Sequence, residues 1–224
     1  MRHARFARIT ALALAGSLMV GSAGAETKRK PPPPADTETE APLPPPRESL
    51  PSGENLLLSP PPGWELGFSD RDDDQAIYEY LPAGQEIENW TELLTVQVFF
   101  ELKNVPPRAV LDRMRKGYET SCDTASAEAP GERAIAGFPA ARQLLLCGRN
   151  RDGGGPGGQQ RGEIALILAV GGRDALYVVQ RAWRGAPFKG PAPAPARALL
   201  PDWQQFLDKV RVCDTRDRAK PCGP

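Results

Sequence analysis

Twelve of the 25 prolines fall between residues 31 and 62 of this 224-residue chain. Proline fixes φ and lacks an N–H, so such a run cannot enter helix or sheet interiors and is drawn to extended polyproline II. The segment reads Lys28-Arg-Lys-Pro-Pro-Pro-Pro34, then Asp36-Thr-Glu-Thr-Glu40, then Pro42-Leu-Pro-Pro-Pro46. It holds too little apolar surface to build a core. Packed structure is thereby confined to about 160 residues from Asn55 onward, the size of one domain. Residues 26–54 are expected to form a disordered linker. Fully extended, 25 such residues reach about 75 Å.

Ahead of the prolines come a basic opening, Met1–Arg8, an apolar stretch, Ile9–Val20, and the small residues Gly21–Ala25. These are the parts of a secretory signal peptide, with Ala23 and Ala25 where signal peptidase reads. The apolar stretch is shorter than the ~20 residues that span a bilayer. Cleavage after Ala25 is expected, leaving a mature chain that does not span a membrane. The domains are then 1–25, signal peptide; 26–54, linker; 55–212, folded domain; and 213–224, a C-terminal tail.

Cleavage removes Arg2, Arg5 and Arg8 and no acidic group, changing 28 basic against 28 acidic side chains to 25 against 28, a formal charge of −3. That balance offers no electrostatic footprint for nucleic acid. His3, the single histidine, leaves with the leader. The mature chain is therefore without Ser-His-Asp or Cys-His catalysis and without histidine-ligated zinc. No cofactor or metal is expected. Arginine outnumbers lysine 21 to 7, and Ala, Gly and Pro are abundant. We read this as the usage of a GC-rich bacterial genome, with the periplasm or the medium as destination.

Four cysteines, Cys122, Cys147, Cys213 and Cys222, in an exported chain argue for disulfides. Three pairings exist; Cys122–Cys147 with Cys213–Cys222 is favoured, one joining a helix end to a strand and the other pinning the tail.

The pattern predicts an α+β fold: a single antiparallel sheet of about six to seven strands packed with two helices. Strands are expected at Leu56–Leu58, Trp64–Ser69, Ala76–Leu81, Leu93–Glu101, Arg142–Gly148, Glu163–Val170 and Ala175–Trp183. Leu94, Val96, Val98 and Phe100 alternate with Thr95, Gln97 and Phe99, which gives one strongly apolar face. Ile164–Val170 is apolar on both sides, as in a central strand. Gly171-Gly172 marks a hairpin after it. Pro106-Pro107 opens a helix reaching Ser121. A second helix is expected over Pro201–Val212, where Trp203, Phe206, Leu207 and Val210 share one face. The glycine-rich stretch Arg149–Arg161 and the proline-bearing stretch Gly185–Ala198 read as long connections.

Candidate chemistry is sparse. Asp70-Arg-Asp-Asp-Asp74 begins like a calcium loop, but Gln75 and Leu81 stand where glycine and glutamate are required. Gly153–Gly158 lacks the Gly-Lys-Ser/Thr of a phosphate loop. Glu86, Glu88, Glu92 and Glu101 supply carboxylates for a hydrolase acting on envelope glycans, with no spacing that selects an acid and a nucleophile. Polar groups flank one indole in Glu88-Asn89-Trp90-Thr91-Glu92, at a strand entrance. These five are the candidate binding lip, with Trp90 closing the edge of the core as the alternative. Asn89-Trp90-Thr91 also matches an N-glycosylation acceptor.

Glu88-Asn-Trp-Thr-Glu92 followed by Thr95-Val96-Gln97 resembles a stretch that recurs in uncharacterised secreted proteins of proteobacteria. Pro62-Gly63-Trp64 after a first strand, a mid-chain helix, and a closing helix with Trp203 and Phe206 are similar in order to the PsbP-like α/β/α sandwich superfamily. The resemblance covers about residues 55–212 and implies a binding or assembly module with no shared catalytic residues. The expected function is an exported, non-catalytic domain that binds a protein or envelope component; a carboxylate-based hydrolase is the alternative.

Overall fold

A computed structural model describes residues 50–224 apart from 101, 152–157, 220, 221, 223 and 224. The expected signal peptide, the linker up to residue 49, most of the glycine-rich stretch and Glu101 lie outside the described residues. Elements run in the order β1 (Glu54–Leu57), β2 (Trp64–Arg71), β3 (Gln75–Pro82), β4 (Glu92–Phe99), α1 (Pro107–Ser121), β5 (Ala125–Ala127), β6 (Gly131–Ile135), β7 (Phe138–Cys147), β8 (Gly162–Gly171), β9 (Leu176–Gly185), α2 (Ala194–Asp208) and β10 (Arg211–Asp214).

The fold is α+β. Eight strands form one antiparallel sheet in the order β2-β3-β4-β9-β8-β7-β5, with β6 also on β7. The short β5 and β6 take opposite ends of β7, at Leu145–Cys147 and Phe138–Arg142. A separate antiparallel ladder joins β1 to β10.

β8 is central because both of its faces are covered. Leu166, Leu168 and Val170 pack with Ala196, Trp203 and Leu207 of α2. The alternate residues Ala165, Ile167 and Ala169 pack with Leu111 of α1. Helix α1 lies on β7 and β8, and α2 on β8 and β9, so the sheet has an α1 face and an α2 face. β4, β3 and β2 extend beyond the helices; β2 is the outer edge, with Leu66 and Phe68 exposed. Among the described residues no helix is long and apolar enough to cross a membrane.

Two expectations are corrected. Gly185–Ala198 is not wholly extended, because α2 begins at Ala194 behind Pro193. Proline suits a first helical turn, whose N–H groups have no intrahelical acceptor. The second helix also stops at Asp208 instead of Val212, and Val210 and Val212 reach the core from a turn and a strand.

The cysteines pair as Cys122–Cys147 and Cys213–Cys222, with Cα–Cα distances of 5.5 and 5.0 Å. Near the second, β1 and β10 are clasped to the β8–β9 turn. The Glu54 carboxylate accepts from the amides of Arg173 (2.8 Å) and Asp174 (2.9 Å). Asp214 accepts from Arg216 Nε and Nη2, both at 2.9 Å, and from Arg173 Nη2 at 3.2 Å. These donors hold the Asp214 carboxyl down at about 2.

Candidate functional site

The five residues of the lip do not share one surface. Trp90 is only 5% exposed and packs with Leu81, Leu93 and Ile87 on the α1 face. The Arg184 guanidinium lies 3.9 Å over its ring. Glu88, Asn89 and Thr91 are exposed. Asn89 accepts from Arg161 Nη2 at 2.8 Å, and Thr91 is bracketed by the Gln85 amide, which accepts from its N–H and donates to its hydroxyl. Glu92 belongs to the opposite face, because it begins β4 in register with Trp183 and shares the side of Leu94 and Val96.

Other sequence candidates are spent locally. Asp72 Oδ1 accepts from the amides of Asp74 and Gln75, shaping the β2–β3 turn. Glu86 and Glu88 are exposed, and Glu92 is engaged by Arg181. Burial raises the Glu79 carboxyl above its usual range, opposed by a hydrogen bond from Thr95 and the Arg184 charge.

The α1 face carries a closed polar cluster. Arg184 Nε and Nη2 donate to Glu163 Oε2 at 3.2 and 2.8 Å, and Tyr118 donates to Glu163 Oε1 at 2.8 Å. Burial and the Glu163 charge hold the Tyr118 phenol well above its ordinary value. A cleft of about 540 Å³ beyond the start of α1 is lined by Pro106, Pro107, Phe138 and Gly171, with three arginines around it. Arg108 pairs with Glu132, Arg133 with Asp208, and Arg173 with Asp217.

On the α2 face Arg133 Nε, Arg181 Nε and Trp203 Nε1 are buried without an acceptor among the described residues, and Arg181 is the cation set among aromatic rings. Tyr177, Val179, Arg181 and Trp183 alternate toward that face along β9, so the strand's period sends a guanidinium where its neighbours send apolar groups. Arg181 lies 4.4 Å from the ring centroid of Trp64, 5.2 Å from Phe206 and 5.8 Å from Trp203. Its side chain is 7% exposed. Among the described residues its one hydrogen bond runs from Nη2 to Glu92 Oε2 at 3.4 Å, a long contact. Arg181 Nε and Trp203 Nε1 are buried with no acceptor among the described residues. Burial pulls the Arg181 guanidinium below its ordinary value, against the opposing charges of Glu92 and Asp202.

Above these groups lies a groove of about 620 Å³. One wall is Pro60-Pro61-Pro62 and Trp64; the other is Leu199, Asp202, Gln205 and Phe206 of α2, with Lys209 just past its end. The first wall is a β-turn closed by Trp64 N–H to the Pro61 carbonyl at 3.1 Å. Its third residue, Gly63, has φ +76°, which glycine adopts without steric cost, and Pro62 presets the position before it. Pro-Pro-Gly-Trp thus aims the Trp64 ring at Arg181. In the sequence Trp64, Trp203 and Phe206 stand out only as structural markers, and Arg181 does not stand out at all. The available signal was a cation on the apolar parity of β9.

No family model matches the chain, and no curated protein matches it. Among solved structures it is similar to the Ran-binding protein Mog1p of Saccharomyces cerevisiae, at 16% identity and a TM-score of 0.46, covering 75% of this chain and 98% of that one. It is also similar to LpqN, involved in cell envelope biogenesis of Mycobacterium tuberculosis, at 11% identity and a TM-score of 0.37, covering 74% and 87%. At these scores neither likeness carries an inference about function.

Proposed function

We propose that this is an exported, non-catalytic domain that binds a protein or envelope component through the Arg181 groove. One observation carries the reading: a nearly buried guanidinium, with a single long hydrogen bond among the described residues, lines an open, aromatic-walled groove. An unsatisfied buried donor costs about 1–3 kcal/mol, more when charged, and a ligand acceptor would recover that cost. The loss of His3 with the leader, and the absence of any carboxylate pair singled out for acid–base work, support binding over turnover. The two disulfides and the signal-like opening support export to an oxidising compartment. A helix on either face of an antiparallel sheet supports a place in the PsbP-like superfamily. The exposed residues Glu88, Asn89 and Thr91 form a secondary part of the proposed contact surface.

A photocrosslinking residue at the groove rim, replacing Gln205, is expected to capture a defined envelope component in the exporting cell. The adduct should disappear in the Arg181→Met background. The same residue at Lys116, exposed on α1, serves as the control. Equal capture from both positions, or capture indifferent to Arg181, would refute the assignment. Mass spectrometry of the exported protein should find Glu26 at its start.

A further inference from the structure

We infer that the groove takes an uncharged, proline-rich segment of a partner protein in the polyproline II conformation. This deepens the binding reading above and rests on it. Three features select the ligand. First, Arg181 lines the groove with a guanidinium of five N–H groups, of which one is hydrogen-bonded among the described residues. The ligand must bring acceptors. Second, two cations, Arg181 and Lys209, and two carboxylates, Glu92 and Asp202, line the groove, so the formal charges cancel. A carboxylate or phosphate on Arg181 would meet two carboxylates, and a cation would meet the guanidinium. A neutral acceptor meets neither penalty. Third, the walls are rings: prolines and Trp64 on one side, Phe206 on the other.

A polyproline II chain satisfies all three. It makes no internal hydrogen bonds, so every carbonyl is free to accept, and apolar rings recur along it at a three-residue period. Being stiff before binding, it loses little conformational entropy, and aromatic-lined grooves exploit this. A sugar hydroxyl also accepts, but each one brings a proton that needs an acceptor of its own. A peptide carbonyl brings none.

The test uses the full mature chain and decaproline, followed by tryptophan fluorescence and calorimetry. Saturable binding is expected. Its affinity should change less than about twofold as salt rises from about 0.05 to 0.5 M, because no charge pair forms with the ligand. Arg181→Lys keeps the charge and loses the planar fork, and it should weaken binding by tenfold or more. Should that variant fail to fold, Phe206→Leu keeps the bulk and loses the ring, with the same loss expected. No saturable binding of decaproline, unchanged affinity in these variants, or stronger binding of an uncharged oligosaccharide of N-acetylglucosamine would each overturn the inference. If decaproline fails while the rim crosslink persists and still depends on Arg181, the ligand chemistry falls and the site stands. If both fail, both fall.

Discussion

Arg181 and Arg184 stand three residues apart on β9 and so face opposite sides of the sheet. Arg184 lies on an indole, forks onto one carboxylate oxygen and shares that carboxylate with a tyrosine. Arg181 lies under two indoles and a phenyl ring, with one long bond to a half-buried carboxylate. Both cations lie against aromatic rings, and they differ in acceptors. Where acceptors suffice, a buried cation knits a helix, two strands and a loop together. Where they fall short, the same residue is a cost to the fold that only a partner relieves. On that ground the Arg184 cluster is closed and the Arg181 groove receptive.

Four measurements test this contrast. The largest effect is expected from Glu163→Ala, which strands Arg184 and Tyr118 together; stability should fall by about 3 kcal/mol in urea unfolding. A loss under about 1 kcal/mol would mean that the α1 face is no better satisfied than the other. Next, Arg181→Met replaces the underused cation by an apolar chain of similar length. It should raise stability by about 2 kcal/mol while abolishing capture at the groove, since well-packed apolar replacements of poorly paired buried charges are often stabilising. Destabilisation would show that Arg181 holds the fold. Tyr118→Phe, which removes one hydrogen bond to Glu163, should cost about 1 kcal/mol. The smallest change is a slope with pH. Asp214 is held at about 2 in the fold against about 3.9 in an unfolded chain. Its contribution is complete above pH 4 and fades as pH falls toward 2, so the urea midpoint should drop over that window and drop less in Asp214→Asn. The Cys122–Cys147 tie beside α1 carries no such dependence.

Much of the scaffold was legible because its signals are local. Pro106-Pro107 marks the start of α1, the unbroken apolar run of Ile164–Val170 marks a strand buried on both faces, and the cysteines fall where a helix end meets a strand. What escaped lacks a local signal. Ala125–Ala127 is three small exposed residues, a strand only because β7 offers an edge. The apolar spacing of α2 runs on through Val210 and Val212, so periodicity alone places no break before β10. The opening of α2 is written in prolines that equally suit an extended chain. The candidate site was the least legible part. Trp90 looked presented because its neighbours are polar, yet Arg184, ninety-four positions later, covers it. Arg181 looked ordinary because its deficit is visible only once Trp64 and α2 are folded over it.

The β1–β10 ladder also brings the two ends of the folded body together. Gly53 donates its N–H to the Thr215 hydroxyl at 2.8 Å, and its carbonyl accepts from Thr215 N–H at 3.0 Å, so the body is entered and left at one point. A short peptide bridging that point would make the strand order a closed ring. New termini could then be cut at the Asp72–Asp74 turn with every strand pairing kept. Such a circular permutant should fold.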